Sequence, residues 1–288
     1  MSALALFLVI GAALCHASWN YLLKKSGGGI GILTLSGVLG LFWVGPFAIW
    51  QWWAKDFSFT WPQIGMVIGS GIIHTAYFLL LDRAYRSGGD LSIVYPLARA
   101  TGPLLTILLA ALLLGERMGP VALGGAILIG VSAFLLTGNP AKLADHSARR
   151  AAGFALMTGG LIAVYTIWDK QAMAAFLIPP IVFDWAVNIS RVAVLVPLAN
   201  IREPGAITRA WHAHKGTALA IGFLSPLSYI LVLTAMVFTP VSYVAPGREI
   251  SILFAALMGT QLLNEGEGVR RTVAAAGMVL GIAALALG

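Results

Sequence analysis

Ten long apolar runs divide the sequence and determine what it can fold into. Each run has roughly 20 residues, the length that an α-helix needs to cross the hydrocarbon core of a bilayer. We predict membrane-spanning helices at 3–23, 30–53, 63–85, 91–114, 119–137, 151–173, 178–199, 216–238, 242–263 and 269–287. Hydrophobic residues make up 59% and charged residues 10% of the chain, and the mean hydropathy is +0.89. The expected fold is therefore an all-α, polytopic membrane protein.

The connections between these runs are short, which excludes several classes of protein. The longest gap, residues 200–215, has no room for a soluble ATPase, kinase or DNA-reading domain. The sequence also lacks a phosphate-binding loop of the form G-x-x-x-x-G-K-[ST]. The net charge of +7 fits basic loops on one side of a membrane better than a nucleic-acid-binding face. We expect no nucleic-acid partner, no cofactor and no metal.

Lys and Arg residues near the ends of the spans are distributed unevenly between the two sides. The odd-numbered gaps, counted from the N-terminus, hold Lys24, Lys25, Arg83, Arg86, Lys142, Arg149, Arg150, Arg202, Arg209, Lys215, Arg270 and Arg271. The even-numbered gaps hold Lys55, Arg117 and Lys170. Because cytoplasmic loops carry the excess of Lys and Arg, we predict cytoplasmic odd gaps. Both termini then face the non-cytoplasmic side of a bacterial-type inner membrane.

The two halves of the sequence resemble each other at an offset of 149 or 150 positions. Three short matches keep their order: Trp19-Asn20 with Trp168-Asp169, Ser92–Pro96 with Ser242–Pro246, and Leu114–Glu116 with Leu263–Glu265. Because each half has five spans, the second copy enters the membrane from the opposite face. We predict an N-terminal repeat over 1–143 and an inverted C-terminal repeat over 144–288, arranged around a central cavity.

These features resemble a known family of membrane proteins. The two five-span repeats, the aromatic first and sixth spans, and Leu-Leu-Gly-Glu-Arg at 113–117 before a Gly-rich fifth span resemble EamA-type transporters of the drug/metabolite transporter superfamily. Within that superfamily, the layout is similar to bacterial amino-acid exporters of the YddG type. The resemblance covers essentially the whole chain. It implies a secondary transporter of the inner membrane, and not an enzyme.

Polar and aromatic residues inside the spans are the candidates for a substrate site, because such groups are costly in lipid and normally face a cavity or a neighbouring helix. The predicted substrate-binding set is His16, Asn20, His74, Tyr77, Tyr95, Arg99, Trp168, Asp169, Tyr229, Tyr243, Arg248 and Glu249. An arginine suits a carboxylate, an acidic residue suits an ammonium group, and aromatic walls suit the apolar part of a solute. This combination fits a zwitterion better than a pure cation.

Two questions about the charged residues stay open at the level of sequence. Arg99 and Glu249 occupy matching positions of the repeats, so they either bind substrate or pair with each other across spans four and nine. The energy source is equally open between proton antiport and facilitated exchange, because Asp169 or Glu249 either titrates or stays permanently paired.

The leading functional hypothesis is export of small metabolites, most favourably amino acids, by alternating access, with Pro96, Pro226 and Pro246 as hinges. A rival hypothesis is efflux of hydrophobic cations, for which aromatic walls and one carboxylate suffice. An intramembrane enzyme or a non-transporting interaction protein is disfavoured, because neither H-E-x-x-H nor G-x-S-x-G occurs. The expected partners are a small-molecule substrate and membrane lipid, and the sequence does not define the oligomeric state.

Overall fold

The computed structural model describes residues 1–86, 91–137, 146–255 and 269–288. Within these ranges, the description does not include the side chains of residues 24, 78, 81–86, 91–97, 136–137, 146–148, 151 and 269–271.

The described residues form helices that follow the predicted spans closely. The helices are α1 (Ala3–Lys25), α2 (Ile30–Ala54), α3 (Trp61–Arg86), α4 (Leu91–Leu113), α5 (Pro120–Thr137), α6 (His146–Ala174), α7 (Pro180–Arg202), α8 (Ala206–Phe238), α9 (Val241–Gly247) and α10 (Val269–Leu287). No β-strand occurs in these ranges, and the predicted all-α fold is confirmed.

The outer surface of the bundle is apolar. Phe42 is 74% exposed and Trp53 is 88% exposed. A soluble monomer rarely exposes apolar surface on this scale, whereas lipid is a favourable solvent for it. Within the described part of the chain, five helical segments are long and apolar enough to cross a membrane: Ala3–Leu23, Ile30–Ala54, Ala152–Ala174, Pro180–Arg202 and Ala206–Phe238. The chain is a multi-pass membrane protein.

Helices from the two halves of the chain pack against each other. α6 lies against α3 and α4, α8 lies against α1 and α2, and α5 lies against α10. The last pair approaches closely through glycine. A Cβ atom added at Gly125 would lie 2.6 Å from the carbonyl oxygen of Gly281, and one added at Gly281 would lie 2.8 Å from that of Gly125. Only glycine permits this contact, as at other tight helix crossings in membranes.

The predicted ninth span is interrupted near its start. α9 ends at Gly247, and helical geometry resumes over 250–255. Arg248 and Glu249 form a turn between these segments, closed by a hydrogen bond of 3.0 Å from the Glu249 N–H to the Pro246 carbonyl. Pro246 has no N–H group and cannot continue the regular helical hydrogen bonding. The helix expected over 242–263 therefore tightens here to i→i−3 hydrogen bonds, while Arg248 keeps helical φ and ψ of −62° and −24°.

The predicted gap at 200–215 also differs from expectation, because much of it is helical. α8 begins at Ala206 and bends at His214, whose φ of −138° and ψ of 31° lie outside the helical region. The polar residues of this segment excluded it from the apolar run, although they do not prevent a helix. α8 has Pro226 in its interior, but its non-helical residue is His214.

Two charged side chains bind backbone groups where α8 ends and α9 begins. The Glu116 carboxylate accepts hydrogen bonds from the N–H groups of Val241 and Ser242, each 2.9 Å long. The Lys170 ammonium group donates to two carbonyl oxygens at the end of α8, at 2.6 and 3.0 Å. These contacts satisfy backbone groups that have no partner within their own helices. Glu116 belongs to the 113–117 segment, and it holds the start of the interrupted span in place.

Replacing Glu116 with alanine is expected to lower the free energy of unfolding by about 2–3 kcal/mol, because two backbone donors lose a charged acceptor. Thermal unfolding of the purified protein in detergent measures this change. Glu203→Ala is the matched control, since Glu203 is an exposed acidic residue just after α7. Equal melting temperatures for the two variants would contradict the capping role.

Candidate functional site

A buried polar cluster lies where α3, α6 and α8 meet. Asp169 of α6 is fully buried, and its Oδ2 atom accepts a hydrogen bond from the Tyr229 hydroxyl of α8. The same oxygen lies 3.1 Å from Nε2 of His74 on α3. Within the described part of the chain, the other carboxylate oxygen, Oδ1, has no hydrogen-bond partner. We call His74, Asp169 and Tyr229 the Asp169 cluster.

Aromatic rings surround the histidine of this cluster. The His74 ring lies 4.2 Å from the ring centroid of Tyr165 and 5.6 Å from that of Tyr229. Tyr77, one turn further along α3, contacts Tyr165 edge-to-face at 5.9 Å. These contacts fix the orientation of the imidazole, so that its Nε2 atom faces the Asp169 carboxylate.

A small cavity with two arginines in its wall lies near Tyr229. Its walls are formed by Ala12, Ala13, His16, Arg99, Ser228, Val232 and Arg248. Its volume is about 10 Å³, enough for one water molecule. The Arg248 guanidinium lies 5.6 Å from the Tyr229 ring centroid, within the range of a cation–π contact. That guanidinium donates no hydrogen bond to another described residue. We call this space the Arg248 cavity.

The second buried arginine is paired. Nε of Arg99 lies 3.1 Å from Oε2 of Glu249, and Nη2 of Arg99 donates to the Ser251 hydroxyl at 2.9 Å. All three residues are buried. Of the two roles considered for Arg99 and Glu249, the structure contains the mutual ion pair, which joins α4 to the interrupted span.

The turn in the ninth span explains why adjacent residues serve different partners. Arg248 and Glu249 form the turn between α9 and 250–255. In this turn the Arg248 side chain lines the cavity while the Glu249 side chain reaches Arg99. Interrupted helices at membrane depth are tolerated where they are buried in protein or line a cavity. This turn therefore places Arg248 in the wall of the cavity and Glu249 beside Arg99.

Other predicted site residues lie apart from these two features. The Asn20 amide donates to the His16 carbonyl of its own helix at 2.7 Å. The Tyr243 hydroxyl lies 3.4 Å from the Gly288 carbonyl, beside α5 and α10. The side chains of Tyr95 and Pro96 lie outside the described residues.

Trp168 fixes the contact between α6 and α3. Its indole N–H donates to the Met66 carbonyl at 2.8 Å, and its ring covers Gly69. The indole N–H is therefore occupied by the neighbouring backbone. Trp19, interpreted from the sequence as a packing residue, lies in an apolar group with residues of α2 and α8.

Two serines of the site were missing from the predicted set. The Ser228 hydroxyl donates to the Ala12 carbonyl at 2.9 Å and borders the Arg248 cavity, and Ser251 binds Arg99. A serine is too common in helices to stand out by itself. Their positions in the sequence could have indicated them, because Ser228 directly precedes Tyr229 and Ser251 follows Glu249 by two residues.

Replacing Gly69 with alanine is expected to destabilise the protein by about 1–3 kcal/mol, because the added methyl group overlaps the Trp168 ring. Gly65→Ala is the matched control on the same helix, where an added Cβ meets nothing within 4 Å. The control is expected to be neutral or stabilising by up to about 1 kcal/mol. Thermal unfolding in detergent compares the two variants, and equal effects would contradict this packing role of Trp168.

A helical membrane bundle with buried charged groups and a central polar cavity is the arrangement found in carriers that move solutes across a bilayer. Residues 3–138 match the sequence profile of the EamA-like transporter family. This part of the chain is similar to the EamA-like family of membrane transporters, which lies within the drug/metabolite transporter superfamily.

Comparison with solved structures supports the same fold over the full length. One structure, titled "Crystal structure of protein", has a TM-score of 0.77 and 18% sequence identity, and the alignment covers 100% of this chain and 98% of the other. At this identity the similarity establishes the fold. A search of curated proteins found no match.

Proposed function

We propose that this transporter exports amino acids, or small metabolites with the same two charged groups, across a bacterial-type inner membrane. The observation that carries the proposal is the Arg248 guanidinium, which lines a cavity and has no hydrogen-bond acceptor among the described residues. An arginine left without an anion inside a membrane protein is costly. Its planar fork matches a carboxylate through two parallel hydrogen bonds.

The neighbouring cluster supports a zwitterionic substrate. Tyr229 contacts Arg248 with its ring and Asp169 with its hydroxyl, so the two charged residues contact the same tyrosine side chain. An α-amino acid carries a carboxylate and an ammonium group at a similarly short separation. A hydrophobic cation could bind the Asp169 carboxylate but would be repelled by Arg248. These charges favour amino acids over the rival class.

The helix contacts support the proposed inverted repeats, 1–143 and 144–288. In two five-helix repeats, α3 corresponds to α8 and α1 corresponds to α6. The contact between α3 and α6 therefore corresponds to the contact between α8 and α1, and both contacts occur. The same correspondence relates the α4–α6 contact to the α9–α1 contact. Two halves of this kind can exchange conformations and move access from one side of the bilayer to the other. The Lys and Arg distribution supports cytoplasmic odd-numbered gaps.

Pro246 is the hinge with the clearest support, since it lies just before the turn in the ninth span. Replacing it with alanine supplies an N–H donor and favours a straight helix through this turn. We expect Pro246→Ala to reduce the transport rate about tenfold, which corresponds to roughly 1.4 kcal/mol of barrier. Pro197→Ala, inside α7, is the control. Initial rates in proteoliposomes measure the effect, and a wild-type rate for Pro246→Ala would contradict this hinge.

Counterflow in proteoliposomes tests the proposed function. Vesicles preloaded with unlabelled L-alanine, L-methionine or L-phenylalanine are diluted into the same labelled amino acid. We expect transient accumulation of label for at least one of the three, and competition by the unlabelled amino acid but not by tetraphenylphosphonium. Accumulation of labelled tetraphenylphosphonium, with no amino-acid counterflow, would instead support efflux of hydrophobic cations.

A further inference from the structure

No lysine or arginine whose side chain the structure describes forms an ion pair with the Asp169 carboxylate. Among the described residues, its ion-pair partner is His74, which carries a positive charge only when it is protonated. Tyr229 donates to the same oxygen but remains neutral. Burying a carboxylate in a membrane protein is costly unless a positive charge compensates it. One proton, added to this cluster, supplies that charge.

The other ionisable groups around the cluster contact partners other than Asp169. On α6, Tyr165 stacks on His74 and Lys170 binds the end of α8. Arg99 on α4 pairs with Glu249. Arg248 contacts the Tyr229 ring.

The remaining groups lie on α3 and α7. They are Tyr77 on α3 and the oppositely charged Asp184 and Arg191 on α7. Asp184 and Arg191 lie seven residues apart, close to two helical turns, and therefore share a face of α7. Among the described residues, the hydrogen-bond and ion-pair partners of Asp169 are His74 and Tyr229. His74 therefore remains the group that adjusts the charge of the cluster.

We propose that the Asp169 cluster binds one proton, shared between Nε2 of His74 and Oδ2 of Asp169, and that the ammonium group of the substrate replaces it. This inference rests on the proposed function. The ammonium group donates hydrogen bonds to the Asp169 carboxylate, His74 becomes neutral, and the proton leaves to water. No covalent bond of the substrate changes. The carboxylate accommodates one compensating charge at a time, so proton and substrate exclude each other.

Tyr229 links the two parts of the exchange. A substrate carboxylate bound at Arg248 lies against the Tyr229 ring, which directs its ammonium group towards the end of the tyrosine that holds Asp169. The expected cycle carries one zwitterion in one direction and one proton in the other. It therefore moves one positive charge per turnover.

Proton release on substrate binding tests this inference. Purified protein in weakly buffered detergent solution, containing a pH indicator dye, is mixed with L-alanine, L-methionine or L-phenylalanine. The wild-type protein is expected to release about one proton for each substrate bound, and Asp169→Asn to release none. Glu203→Gln, at an exposed carboxylate just after α7 and outside the cluster, is the control and is expected to release as much as wild type. His74→Gln provides a second variant expected to release none, should Asp169→Asn fail to fold.

The possible outcomes separate this inference from the proposed function. Amino-acid binding by wild type without proton release, or release by Asp169→Asn equal to that of wild type, overturns the proton site. Amino-acid counterflow without uptake driven by an inside-acid gradient overturns the exchange while the proposed function stands. Proton release by tetraphenylphosphonium, with no amino-acid counterflow, overturns the amino-acid substrate but retains the proton site.

Discussion

Replacing Arg99 with methionine is expected to lower the free energy of unfolding by about 3–5 kcal/mol, because it leaves the Glu249 carboxylate buried without its cation. Methionine keeps most of the side-chain volume, so the effect reports charge rather than a cavity. Unfolding in mixed micelles with increasing sodium dodecyl sulfate measures the change. Arg209→Met, at an exposed arginine near the start of α8, is the matched control and is expected to change the stability by less than about 1 kcal/mol.

The double variant distinguishes an ion pair from two independent effects. When Glu249→Met is combined with Arg99→Met, both buried charges disappear, and we expect the stability to return most of the way towards wild type. The difference between the double variant and the sum of the two single variants gives the coupling energy. If the two single effects simply add, the charges do not compensate each other and the ion pair is not the source of stability.

The sequence predicted the helices well because one physical quantity, the apolar length needed to cross a bilayer, determines them. The prediction was wrong where apolar length does not determine the local structure. The turn at Arg248 and Glu249 occurs within an apolar run, and the helix over 206–213 lies outside one. Hydropathy measures whether a segment tolerates lipid. It does not measure whether each backbone N–H group finds an acceptor.

Part of the candidate site was predictable from helical periodicity and from the matching repeat positions. Helical periodicity identifies which residues share a face, and matching repeat positions identified Arg99 with Glu249 as possible partners. Periodicity does not define how two helices are rotated against each other. The contact between His74 and Asp169 depends on the close approach of α3 and α6, which requires Trp168 to lie over Gly69. Such contacts depend on tertiary packing, and therefore the sequence alone did not reveal the Asp169 cluster.

The strongest test of substrate recognition lies at Arg248. Replacing it with glutamine is expected to raise the half-saturating amino-acid concentration in counterflow roughly thirtyfold, since losing a charge-assisted, bidentate contact costs about 2 kcal/mol. Arg248→Lys keeps the charge but loses the planar fork, so its effect is expected to be intermediate. Arg209→Gln is the control, because Arg209 is exposed and donates to the Pro204 carbonyl. A wild-type half-saturating concentration for Arg248→Gln would exclude Arg248 from the substrate site.

A ligand without a carboxylate tests whether Arg248 binds the carboxylate of the substrate. Phenethylamine is L-phenylalanine without the carboxylate, and we use both as competitors against the labelled amino acid that shows counterflow. If Arg248 binds the carboxylate, wild type prefers L-phenylalanine and the Arg248→Gln variant loses most of that preference. The affinity for phenethylamine stays nearly unchanged or rises, because a repulsive positive charge has been removed. An equal loss of affinity for both compounds in the variant would show that Arg248 supports the shape of the cavity rather than binding the carboxylate.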